Sequence, residues 1–184
     1  MKIHTVSPGC ALTGESSSGM PRQFRPSPNF QERRDMNETR QKVVVINPDK
    51  TNVAVQGMPQ FFGISQASAG AEGIAMNLTS FGPGGKSKAH YHRGFETAIY
   101  GLSGRTGLYY GPELEEMCVI EPGTFCFVPA GVPHVAFNMS DSEGATSISS
   151  RNDPVEQENV ILMPELDGLR DAEISAVKEQ ERAV

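Results

Sequence analysis

Short apolar clusters, broken by glycine, proline, asparagine and aspartate, run through most of the chain. The segments "KVVVIN" (42–47), "FFGIS" (61–65), "GIAMNLTSF" (73–81), "TAIYGLSG" (97–104) and "TGLYYG" (106–111) each read as a short strand. So do "EMCVIE" (116–121), "TFCFVP" (124–129), "HVAFNM" (134–139) and "TSISSR" (146–151). Many short strands at such spacing predict an all-β sandwich or barrel. After Pro164 the pattern changes, and Leu169, Ile174 and Val177 set among charges predict a short C-terminal helix. Residues 1–40 follow neither period. Their "SPGCALTGESSSGMPRQFRPSPNF" offers little apolar surface against the entropy of ordering, which predicts a flexible N-terminal arm. Its Phe24 and Phe30 are the residues that would dock if the arm packs on a partner subunit. The expected divisions are therefore the arm at 1–40, a β domain at 41–165 and a C-terminal helical segment at 166–184.

Composition narrows the function classes. A chain of 184 residues suits one domain with a buried core, and 19 Gly with 13 Pro favour turns and strands over long helices. A net charge of −6 provides no basic excess for phosphates, so no nucleic-acid partner is expected. The N-terminus holds no continuous apolar stretch, so neither a signal peptide nor a membrane partner is expected. Cys10, Cys118 and Cys126 are odd in number and lack a CxxC spacing, which favours a reduced, cytoplasmic setting. Cys118 and Cys126 read as buried, inert thiols.

The candidate chemistry lies in "HYHRGFE" (90–96). Of four histidines in the chain, two stand here one residue apart. On a strand, positions i and i+2 share a face, so His90 and His92 converge while Tyr91 points away. With Glu96 close behind, this is a metal-ligand set; imidazole suits iron, copper, nickel or zinc, and a carboxylate adds character suited to iron or manganese. A third histidine, His134, follows the tight turn Pro129-Ala130-Gly131, which would aim it from the start of the next strand.

These two segments resemble the paired motifs of the cupin superfamily. Gly84, His90, His92 and Glu96 fit the first motif, whose closing glycine arrives one residue late, at Gly104. Gly123, Pro129, Gly131, His134 and Asn138 satisfy every position of the second. The resemblance covers roughly 42–163 and implies a single-domain, RmlC-like fold, a double-stranded β-helix (jelly-roll) barrel. It further implies one divalent metal held by His90, His92, Glu96 and His134, with iron or manganese favoured and zinc, nickel or cobalt as alternatives. Glu96 would also serve as a base if it detaches. A homodimer is a further implication of the family.

Around this site, Asn138 is expected either behind His134 or as a turn-closing residue. Tyr100 is expected to line the pocket, and Arg93 is the candidate contact for a substrate anion. The implied function is a metal-dependent enzyme on a small organic molecule, of dioxygenase type. The alternatives are an oxygen-independent isomerase, lyase or decarboxylase using the metal as a Lewis acid, or a non-enzymatic binder of metal or small ligand. A phosphosugar substrate would need several cations, and only Lys86, Lys88, Arg93 and Arg105 lie near the first motif.

Overall fold

The computed structural model describes residues 43–48, 52–155, 157 and 159–182; the N-terminal arm expected over 1–40 lies outside them. In chain order the strands are β1 (Asn52–Val53), β2 (Pro59–Ile64), β3 (Ala75–Phe81), β4 (His90–His92), β5 (Thr97–Ser103) and β6 (Thr106–Tyr110). They continue as β7 (Glu116–Ile120), β8 (Phe125–Val128), β9 (His134–Asn138), β10 (Ala145–Arg151) and β11 (Val160–Leu162). A single turn of helix, α1 (Gln66–Ala69), follows β2, and α2 (Asp171–Arg182) ends the described chain. The strands form two antiparallel sheets, ordered β1-β2-β3-β10-β5-β8 and β11-β4-β9-β6-β7. Inward side chains of both sheets line one cavity, so the all-β jelly-roll expectation and the C-terminal helix both hold.

Two strands, β1 and β11, are only two and three residues long, too short for a period to be read from sequence. Conversely, "KVVVIN" was expected to be a strand, yet described residues 43–48 pair with no neighbour. Val43 and Val45 are largely exposed there, and β-branched residues alone make no ladder without an adjacent strand.

The late glycine of the first motif has a structural cause. Gly101 pairs with Ser147 and Ser103 with Thr146, so β5 holds Leu102 as one extra residue, a β-bulge. Gly104 then takes the turn at φ 64° against the backbone of Ala145, where a side chain would collide.

Apolar packing is divided between two places. Ala54, Met58 and Phe81 pack inside the barrel with Phe62 and Ala136. A larger cluster lies outside the five-stranded sheet: Val135 and Phe137, the outward residues of β9, pack with Ala89, Leu114, Met139 and Ile174 of α2. Gly107 on β6 lets the Phe137 ring lie flat across the sheet; a Cβ there would sit 2.2 Å from the ring. Charges hold α2 in place around this core. Arg170 donates to the Leu114 carbonyl at 3.0 Å, Lys178 donates to the Gly84 carbonyl at 3.0 Å, and Arg105 pairs with Glu181 at 2.5 Å. Among the described residues, no helix is long and apolar enough to cross a membrane.

Candidate metal centre

The site is built where β4 and β9 lie side by side. His90 pairs directly with His134 across the two strands, and strand alternation puts His92 on the same inner face. The turn before β9 works as expected. Gly131 takes φ 76° and donates its N–H to the His92 carbonyl at 2.9 Å, tying the corner that launches His134 to the strand bearing the other two. One ring nitrogen from each of His90, His92 and His134 lies within 4.8 Å of the others, and all three residues are buried.

Hydrogen bonds fix which nitrogen faces the cavity. His90 Nδ1 lies 2.8 Å from the Lys88 carbonyl, and His134 Nδ1 lies 2.8 Å from the Val132 carbonyl. A carbonyl only accepts, so each Nδ1 carries the proton and each Nε2 keeps its lone pair. Burial disfavours the imidazolium form of all three. It holds His134 down to about 4 and pushes His90 and His92 well below the usual histidine range, with His134 and Arg151 respectively adding repulsion. Three neutral, converging imidazoles are the donor set a divalent transition metal takes, so these residues fit such an ion.

Glu96 is not brought to this group. Thr97 points inward at the start of β5, so Glu96, one position before it, is exposed and borders an outer groove with Ala98 and Phe127. Among the described residues the four-ligand expectation is thus corrected to a trio. The same strand parity corrects Tyr100. It does share a face with Glu96, but that face is the outer one, where its ring packs 4.7 Å from Phe125. Arg93 is exposed in the turn after β4 and does not line the cavity.

Asn138 resolves to the turn-closing role. Its side chain donates to the Gly82 carbonyl at 2.9 Å and the Glu143 carbonyl at 2.7 Å, and accepts from the Ser140 N–H at 2.9 Å. It therefore joins the glycine loop of the first motif to the turn after the second.

The residue that sequence reasoning missed is Arg151. It is 6% exposed, inside the barrel at the end of β10. Its Nε donates to Thr97 Oγ1 at 3.1 Å, and its Nη2 lies 3.1 Å from His92 Nε2. Guanidinium only donates, so His92 Nε2 accepts through its lone pair. The signal was in "ATSISSR": Ser147, Ser149 and Arg151 alternate on one face of a strand, and that polar face is the inner one.

Residues 77–148 match the family model described as the cupin domain. That stretch of the barrel is a cupin domain. Solved structures share the fold at low identity. The polyketide cyclase RemF from Streptomyces resistomycificus aligns at 20% identity and TM-score 0.58, covering 72% of this chain and 94% of that one. A deletion mutant of oxalate decarboxylase from Bacillus subtilis aligns at 16% identity and TM-score 0.54, covering 79% and 41%. The Lactobacillus farciminis oxalate decarboxylase formate complex aligns at 17% identity and TM-score 0.52, covering 62% and 33%. No curated protein matches the sequence. These likenesses establish the cupin architecture; chemistry has to be argued from the site.

Proposed function

We propose that this cupin is a metal-dependent enzyme of dioxygenase type acting on a small organic molecule. The observation that carries the reading is the buried trio His90, His92 and His134, with one ring nitrogen of each within 4.8 Å of the others inside the barrel. Bound there, a divalent iron or manganese ion would supply Lewis-acid or redox chemistry, with coordination positions left open for substrate and dioxygen.

The protein's own residues do the rest. Carbonyls of Lys88 and Val132 lock two rings in the metal-ready tautomer. Leu108, Ile120, Val128 and Ala136 give the cavity apolar walls that exclude bulk water. With Glu96 outside, no carboxylate among the described residues lines the cavity as a base, so a substrate deprotonated before binding suits the site better. The free thiols Cys118 and Cys126 accord with a cytoplasmic setting.

The test is oxygen uptake by iron- or manganese-loaded protein across a panel of small metabolites. Uptake matched to product formation is the expected result. Equal turnover in an oxygen-free chamber would instead establish the oxygen-independent lyase, isomerase or decarboxylase reading. Tight binding of a metabolite that stays intact would establish a binder.

A further inference from the structure

The cavity beneath the histidines is small and unevenly polar. Its volume of about 40 Å³ is room for roughly three water molecules. Ser147, Ser149, Thr79, Thr97 and Gln60 make one side polar, although apolar residues would pack a barrel interior at less cost. Gln56 Oε1, Gln60 Oε1 and Ser149 Oγ are buried there with no hydrogen-bond partner inside the protein, on residues at most 8% exposed. Such groups are costly unless something else satisfies them.

Among the described residues lining this cavity, Arg151 is the one permanently charged side chain. Thr97 steadies its Nε, and Nη2 donates into the lone pair that His92 would offer to a metal. A metal that took that lone pair would set a dication beside a guanidinium. The arrangement then favours a negative acceptor lying between them, one able to meet both the ion and the displaced N–H.

We propose that the substrate class of this site is a short hydroxycarboxylic acid, with Arg151 as the residue that recognises its carboxylate. The carboxylate suits the planar fork of Arg151, and the cavity limits the acid to a few carbon atoms. A hydroxyl on the same molecule suits the unpartnered acceptors Ser149 Oγ and Gln60 Oε1. This identification rests on the metal-site reading above and deepens it. It also replaces Lys86, Lys88, Arg93 and Arg105 as the cations to consider, because none of them lines the cavity.

The experiment is calorimetric titration with glycolate and with glycolamide, its neutral counterpart of similar shape, against metal-loaded and metal-free protein, with metal content measured on the same samples. Glycolate is expected to bind at least about tenfold more tightly than glycolamide, as a charge-assisted hydrogen bond requires. In Arg151→Gln that preference should fall by about ten- to hundredfold, and Arg151→Lys should restore part of it. Equal binding of the two compounds by wild-type protein would overturn the proposal, with no variant needed. So would an unchanged preference in a folded Arg151→Gln. Failure to take up metal would instead sink the metal-site reading, while the metal-free titration still decides the role of Arg151.

Discussion

Replacing His134 with alanine removes the imidazole contributed by β9 and leaves His90 and His92 as an incomplete set. Metal occupancy of His134→Ala, measured by elemental analysis, is expected to drop at least about tenfold. Glu96→Ala should leave occupancy unchanged, because Glu96 is exposed on the opposite side of β5. A matching loss in Glu96→Ala would reinstate the four-ligand site. Asn138 has a different consequence. Truncating it leaves the Gly82 and Glu143 carbonyls and the Ser140 N–H without their partner, and Asn138→Ala is expected to cost about 2–4 kcal/mol in denaturant unfolding. A loss of metal without a loss of stability would contradict the turn-closing role. The histidines were legible in the sequence because His-x-His on a strand has a fixed geometry. Glu96 was not, because it lies in a loop of four residues, 93–96, that lets the chain re-enter the sheet on either parity.

At the scale of elements, α2 covers the outer face of the five-stranded sheet. Ile174, 4% exposed, is its buried anchor. Ile174→Ala should cost about 2–4 kcal/mol, read as a shift of the unfolding midpoint; an unchanged midpoint would mean that α2 is held by its charges alone. Strands β7 and β8 are edges of different sheets, and Cys118 of one lies against Cys126 of the other. Each thiol is the largest influence on the other, so neither is the isolated, inert thiol expected from sequence. This pairing lowers Cys118 to about 7 and raises Cys126. A lowered thiol pKa makes the thiolate fraction grow as pH rises through about 7, so alkylation of Cys118 by iodoacetamide should climb between about pH 6 and 8. In Cys126→Ala that climb should move to higher pH, toward the ordinary thiol range. An unmoved profile would show that the pairing does not govern Cys118.

Over the whole molecule the two sheets differ in what covers them. The outer face of the six-stranded sheet carries two cross-strand rows, Phe61-Leu78-Ile148-Tyr100-Phe125 and Ile64-Met76-Ser150-Ala98-Phe127. Neither row holds a charge, and Phe125 and Phe127 are 83% and 60% exposed. In a chain of net charge −6, these uncharged rows, with Glu96 only at their border, are where two copies meet with little repulsion, so we propose them as the contact of the expected homodimer. Sedimentation should give a dimer, and Phe125→Asp with Phe127→Asp should give a monomer of unchanged fold. A wild-type monomer, or a dimer untouched by both changes, would rule this face out.

The sequence by itself determined the strand periods, the turns at Gly104 and Gly131, and the pairing of His90 with His92, since each depends on local stereochemistry. It left the sidedness of the strands open. A strand of alternating polarity, such as "ATSISSR" or "TFCFVP", has two faces, and nothing local says which one is the interior. Only the closing of the two sheets decided that Arg151, Ser149 and Ser147 face the metal site while Tyr100, Phe125 and Phe127 face outward. The physical reason is that register and parity are set by partners distant in sequence, and on β10 the polar side is the one they enclose.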